Sequence, residues 1–96
     1  YIPKNYHSAH ALFSITLSSH KKREKLVNIL KDNQIPNVIY YKYPIHLMKG
    51  FSYLGYNEGD LPVSENLSQT IVSLPMHPYL SNIDIDLILR VLKNNE

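Results

Sequence analysis

Five histidines pose the first chemical question in this 96-residue chain. His7 and His10 stand three apart, His20 begins a basic run, His46 sits among aromatics, and His77 lies between Pro75 and Pro78. A helical zinc site wants two histidines four apart with a further ligand, and no such pair occurs. His7 and His10 therefore read as a polar approach to a strand. A nucleophilic serine would need a sharp turn such as G-x-S-x-G, but the serines are scattered. A phosphate loop needs closely spaced glycines, and the chain has only Gly50, Gly55 and Gly59. His77, stiffened by its two prolines, reads as a structural histidine. His46 is left as the histidine without an ordinary explanation.

His46 lies in YYKYPIHLMKGFSYLGYNEGD, residues 40–60. The stretch lacks the rhythm of a helix and is too broken for one strand. Gly55 and Gly59 bracket Tyr56-Asn57-Glu58 and suggest tight turns. Long irregular segments in small domains are usually functional or disordered. Tyr40, Tyr41, Tyr43, Phe51, Tyr53 and Tyr56 argue against disorder, because disordered segments are poor in aromatics. Two readings stand side by side. The loop packs on its own domain, or it packs on another surface and offers His46 and a tyrosine hydroxyl to a ligand.

The elements that must hold this loop follow from periodicity. Residues 11–18, ALFSITLS, alternate as a half-buried strand with Phe13, Ile15 and Leu17 inward. Ser18 or Ser19 caps a helix over 21–32, whose stripe is Leu26, Val27 and Leu30 with Ile29 alongside. Asn33 ends it and Pro36 forbids its continuation. Val38-Ile39-Tyr40-Tyr41 reads as a second strand. Asp60 caps a second helix that opens at Leu61-Pro62, with Val63 and Leu67 on one face. Ile71-Val72-Ser73-Leu74 is a third strand, stopped by Pro75. Ser81, with Asp84 three residues on, opens a last helix with Ile83, Leu87, Ile88, Val91 and Leu92 as its apolar face. Asn94-Asn95-Glu96 reads as a frayed end. The order β-α-β-loop-α-β-α predicts one α+β domain over residues 1–96: a two-layer sandwich with a small three-stranded sheet and about three helices.

Composition narrows the function. The chain is 44% hydrophobic and 19% charged, which suits one small domain with a modest core. A net charge of +2 is too weak for a nucleic-acid surface. The run His20-Lys21-Lys22-Arg23 reads as a solvated helix face. No apolar run approaches the roughly 20 residues of a membrane span. Cysteine is absent, which excludes disulfides and thiolate metal sites and fits a cytoplasmic protein. A chain that starts on Tyr1 without a signal-peptide pattern reads as cut from something longer.

The motifs YYKYPIH, FSYLGYNEGDLPVSENLSQTIVSLPMHPYLS and DIDLILRVL resemble the C-terminal end of the DegT/DnrJ/EryC1/StrS family of nucleotide-sugar aminotransferases. That family typically shows H-Y-P-x-P-L-H, then F-x-x-L-G-Y, G-D-x-P-x-x-E and S-L-P-M-H-P-x-L, in this order and at near-matching spacing. Tyr41 falls on its loop tyrosine, Pro44 on its second proline and His46 on its closing histidine. Tyr43 occupies the variable position. Tyr40 stands where histidine is common, and Lys42 where the first proline is common.

The resemblance implies a fold-type I aminotransferase dependent on pyridoxal 5'-phosphate, with this chain as its C-terminal small domain. The parent would be a homodimer whose large catalytic domain supplies the Schiff-base lysine. It would transfer an amino group from glutamate to a nucleotide-linked keto sugar, toward polysaccharide or glycan precursors. The resemblance further implies substrate contacts from His46, Tyr41 and Tyr43. No lysine here sits in a motif like the Schiff-base region, so the fragment alone is expected to bind no cofactor and to be inactive. A free-standing α+β binding module using the aromatic 40–60 loop is the alternative.

Overall fold

Residues 2–94 are described by a computed structural model. The alternating Phe13–Thr16 forms β1, and Ile71–Leu74 forms β2, paired antiparallel with Phe13 opposite Leu74 and Thr16 opposite Ile71. Ser14 and Ser73 join their hydroxyls across this ladder at 2.7 Å. Three helices follow the expected order: α1 over His20–Asp32, α2 over Pro62–Thr70 and α3 over Asn82–Lys93. Between α1 and α2, the aromatic stretch winds into two short 3-10 turns, Ile45–Leu47 and Lys49–Leu54. The α+β class is as expected.

Among the described residues the three-stranded sheet is not found: two strands pair, and the expected second strand shrinks to one bridge. Val38 and Ser73 exchange both backbone hydrogen bonds, at 3.0 and 2.8 Å. In an antiparallel ladder the next exchanging pairs lie two residues away on each side. On one side Pro36 would face Pro75, and neither has an N–H to give. On the other side Tyr40 would face Ile71, whose N–H is committed to the Leu67 carbonyl at the end of α2. The ladder is closed off at both ends, so the chain leaves the sheet and enters the loop.

The core forms where α1 meets β2 and α3. Leu26, Val27 and Leu30 from α1 pack with Ile35, Val72, Leu74 and Val91. Ile15, Leu17, Ile29, Ile39, Ile88 and Leu92 cover its rim. Three expected inward positions prove exposed instead. Phe13 sits at the open edge of β1, Ile83 faces solvent on α3, and Leu87 lines a surface cleft beside Ile35 and Ile88. The face of α2 formed by Val63 and Leu67 also points outward, and α2 buries Ser68 and Thr70 in its place.

Arg23 departs from the expected solvated face as well. Its side chain is 1% exposed, and Nη1 donates to the Ser68 carbonyl at 3.3 Å. Ser68 lies in the last turn of α2, where carbonyls lack intrahelical partners and the helix end is partially negative. Arg23 thus caps α2 from α1. Its Nε lies 3.0 Å from Glu24 Oε1, but that N–H is not directed along the contact. The pair is an ion pair without a hydrogen bond.

The helix ends are set locally. Ser19 accepts from the Lys22 N–H, and Asn33 closes α1. Gln34 then takes a left-handed φ of 57°, letting Ile35 N–H reach the Leu30 carbonyl at 2.8 Å and Gln34 N–H the Lys31 carbonyl at 2.9 Å. Ser81 and Asp84 form a reciprocal capping box on α3. Of the expected frayed end, Asn95 and Glu96 lie outside the described residues. A left-handed residue with a Cβ costs roughly 1–2 kcal/mol, and glycine's extra unfolded freedom gives back about 0.5–1. Gln34→Gly should therefore raise unfolding stability by up to about 1 kcal/mol, measured by urea denaturation. A loss of stability would mean that the Gln34 side chain contributes more than its backbone strain costs.

Candidate functional site

The helix α2 begins without a side-chain cap at its N-cap position, Leu61. Asp60, the expected cap, is engaged elsewhere: its Oδ2 accepts from the Asn57 N–H at 2.8 Å and closes the turn between them. Gly55 and Gly59 take φ of 76° and 93° in this region, as the expected tight turns require. The open first turn of α2 is filled from within the helix. Glu65 bends back, and its Oε1 accepts from the Leu61 N–H at 3.2 Å. The Gly59 N–H donates to both carboxylate oxygens, at 3.0 and 2.9 Å.

The same oxygen meets His46. Its Nε2 lies 3.0 Å from Glu65 Oε1. An ionised carboxylate only accepts, and Oε1 already takes two backbone N–H groups. The proton in this bond therefore sits on His46 Nε2. His46 is 7% exposed, although it belongs to a single turn of 3-10 helix. The Tyr56 ring stands edge-on to it, 6.0 Å between centroids at 81°. Residues 46, 59 and 61 are thus drawn to the Glu65 carboxylate, with Tyr56 against the imidazole.

The expected substrate contacts divide accordingly. His46 is buried and bonded to Glu65, while Tyr41 and Tyr43 are exposed on the arm that leads to it. Tyr40 and Lys42 are exposed beside them. Behind the arm an apolar groove is lined by Tyr41, Pro44, Ile45, Val63 and Leu67. Glu65 was not singled out by sequence reasoning. Its signal was its place as the glutamate of the G-D-x-P-x-x-E motif, four residues after Leu61, and that does not reveal a partner 19 positions upstream. His77 is exposed, its ring 6.3 Å from that of Tyr79. Among the described residues no three His, Cys, Asp or Glu side chains converge as a metal site, and no helix is long and apolar enough to cross a membrane.

The α+β fold of this chain has counterparts among known proteins. The chain belongs to the DegT/DnrJ/EryC1/StrS aminotransferase family, whose pattern it matches over residues 2–93. It is 35% identical over 83 residues to a dTDP-3-amino-3,4,6-trideoxy-alpha-D-glucose transaminase of Micromonospora megalomicea subsp. nigra, covering 85% of this chain and 22% of that protein. Among solved structures it resembles a DegT DnrJ EryC1 StrS aminotransferase from Brucella abortus, with a TM-score of 0.83 and 42% identity over 98% of this chain and 24% of that one. The fold of the aminotransferase TlmJ from Streptoalloteichus hindustanus is also similar, with a TM-score of 0.81 at 22% identity. The chain spans about a quarter or less of the length of these relatives.

The carboxylate leaves a mark on acid stability. The Gly59 N–H, helped by His46 and Leu61 and opposed by partial burial, holds Glu65 below its ordinary value of 4.5. Bonds from the Ser81 hydroxyl and N–H hold Asp84 below 3.8 in the same way. A carboxyl whose folded pKa lies below its unfolded one stabilises the fold above the unfolded value. That contribution is lost as pH falls through the folded value. Stability should therefore decline as pH drops below 4.5. Glu65→Gln should start less stable at neutral pH and decline less steeply. Urea midpoints across an acid series measure this, and parallel curves for the two proteins would refute it.

Proposed function

We propose that this chain is the C-terminal small domain of a pyridoxal-phosphate-dependent aminotransferase acting on a nucleotide-linked keto sugar, with glutamate as amino donor. The observation that carries this reading is the family match over residues 2–93, which takes in the whole aromatic arm. The relative from Micromonospora is by name a dTDP-sugar transaminase, which supports a nucleotide-sugar substrate. A cytoplasmic homodimer in which this domain rests on its own large catalytic domain belongs to the same reading. The outward aromatic and aliphatic side chains of the arm and of α2 suit such a resting place.

The residues of this chain do not themselves fit the cofactor. A lysine that condenses with a carbonyl must be neutral, which takes a desolvated pocket or a neighbouring cation. Every lysine among the described residues is exposed. The amino-transfer chemistry is therefore assigned to groups outside this chain, and the small domain to binding and orienting the sugar. Tyr41 and Tyr43 are the groups placed for that task, since their hydroxyls are free to reach a ligand.

The test uses the complete reading frame that contains this chain. Expressed whole, it should transfer nitrogen from glutamate to a nucleotide-linked keto sugar, whereas the 96-residue chain alone should show no stoichiometric absorbance change with pyridoxal phosphate. Tyr41→Phe and Tyr43→Phe should raise KM for the sugar about 2- to 10-fold, the scale of one neutral hydrogen bond, with kcat little changed. A reading frame that starts just before this segment would favour the free-standing module, as would an unaltered KM in both variants.

A further inference from the structure

We infer that Glu65 is a positioning residue for the substrate arm, and that His46 acts through it instead of touching the sugar. The inference rests on the reading above that the arm meets the substrate, and it changes what the histidine is for.

The argument starts from how little else fixes the loop. The second 3-10 turn, Lys49–Leu54, buries no residue, and neither turn has a side-chain cap. Phe51, Tyr53, Leu54 and Tyr56 are all exposed, with Tyr53 at 78%. A segment with so few buried apolar contacts gains little hydrophobic stabilisation to offset the entropy of ordering it. Its buried anchors are Pro44 and His46, two residues apart at the base of the arm. The Pro44 carbonyl accepts from the Leu47 N–H inside the turn itself, whereas the His46 side chain bonds outside it, to Glu65.

Glu65 is suited to the part because α2 is a rigid element and its carboxylate is fully committed. Oε1 receives His46, Gly59 and Leu61, and Oε2 receives Gly59. The bonds to Gly59 and Leu61 hold the carboxylate independently of His46, so the histidine meets a group that is aimed by others. One end of the loop enters through His46 and the other leaves through Gly59, and both close on the same side chain. Tyr43 and Tyr41 are three and five residues upstream of His46. Their place relative to α2 is therefore set at this bond. With Nε2 engaged and the ring 7% exposed, His46 cannot also offer that nitrogen to a ligand.

Limited trypsin digestion tests the clasp directly. Lys42 and Lys49 lie in the segment it holds, while Lys22 and Lys25 lie in α1 and report on the fold as a whole. In the 96-residue chain, Glu65→Ala and His46→Ala should each speed cleavage after Lys49 about tenfold, the scale set by one charge-assisted hydrogen bond, with α1 cut at the wild-type rate. His46→Gln can still present an N–H to the carboxylate and should restore protection. The double variant Glu65→Ala/His46→Ala should open no further than either single variant. Unchanged cleavage after Lys49 overturns the proposal, as does failure of His46→Gln to protect better than His46→Ala. If α1 is cut in step with Lys49, the carboxylate supports the whole domain and a specific role in the arm is overturned.

The same variants in the complete enzyme separate this inference from the function it rests on. Glu65→Ala and His46→Ala should raise KM for the sugar nucleotide with kcat largely kept, and His46→Gln should recover it. Loss of protection without any change in KM would leave the clasp standing and overturn the arm's part in substrate binding. A His46→Gln variant that is protected from trypsin yet keeps the raised KM would return His46 itself to the sugar site.

Discussion

One carboxylate oxygen organises the half of the molecule that lacks a hydrophobic core. Glu65 Oε1 receives an imidazole N–H and two backbone N–H groups, which joins a helix start, a glycine turn and a buried histidine at a single point. Without it the exposed Gly59 and Leu61 N–H groups would turn to water, and the buried His46 would lose its partner. The arrangement works only while the carboxyl is ionised, because a protonated acid has fewer acceptor sites and a hydrogen of its own to place. The geometry of the loop is thus an electrostatic matter, whereas that of α1, β2 and α3 is a matter of packing.

This division explains what could be read from the sequence. The extents of α1 and α3 were legible because their caps are local: Ser19 serves Lys22, and Ser81 and Asp84 serve each other within four residues. β2 was legible because Ile71-Val72-Ser73-Leu74 is short, β-rich and stopped by a proline. The third strand was misread because nothing local in Val38-Ile39-Tyr40-Tyr41 forbids one. The obstacle is across the ladder, in the facing prolines and in an Ile71 N–H already given to α2. Arg23 was misread for a related reason. Its neighbours His20, Lys21 and Lys22 are solvated, and only the approach of α2 makes its position interior.

The candidate site was legible in its residue types and obscure in its connections. Tyr41, Tyr43 and His46 could be singled out from an aromatic run and a family motif, while Glu65, though also within a family motif, was given no partner. Periodicity also failed to say which surfaces face inward. Val63 and Leu67 share a face as expected, but that face is turned to the outside along with the arm. The apolar side of this amphipathic helix is thus left to water within the chain, and the Brucella abortus relative is about four times as long.

The two prolines that shorten the sheet have a consequence for solubility. A strand with free backbone donors and acceptors along one side invites a strand from another molecule, the first step toward fibrous aggregates. Here Ser73 is satisfied by Val38, Ile71 has no donor to spare, and Pro75 has none at all. The outer side of β2 therefore offers no continuous template to a passing chain. Of the two edges of this small sheet, strand addition is thereby blocked on the β2 side and left to the four-residue β1.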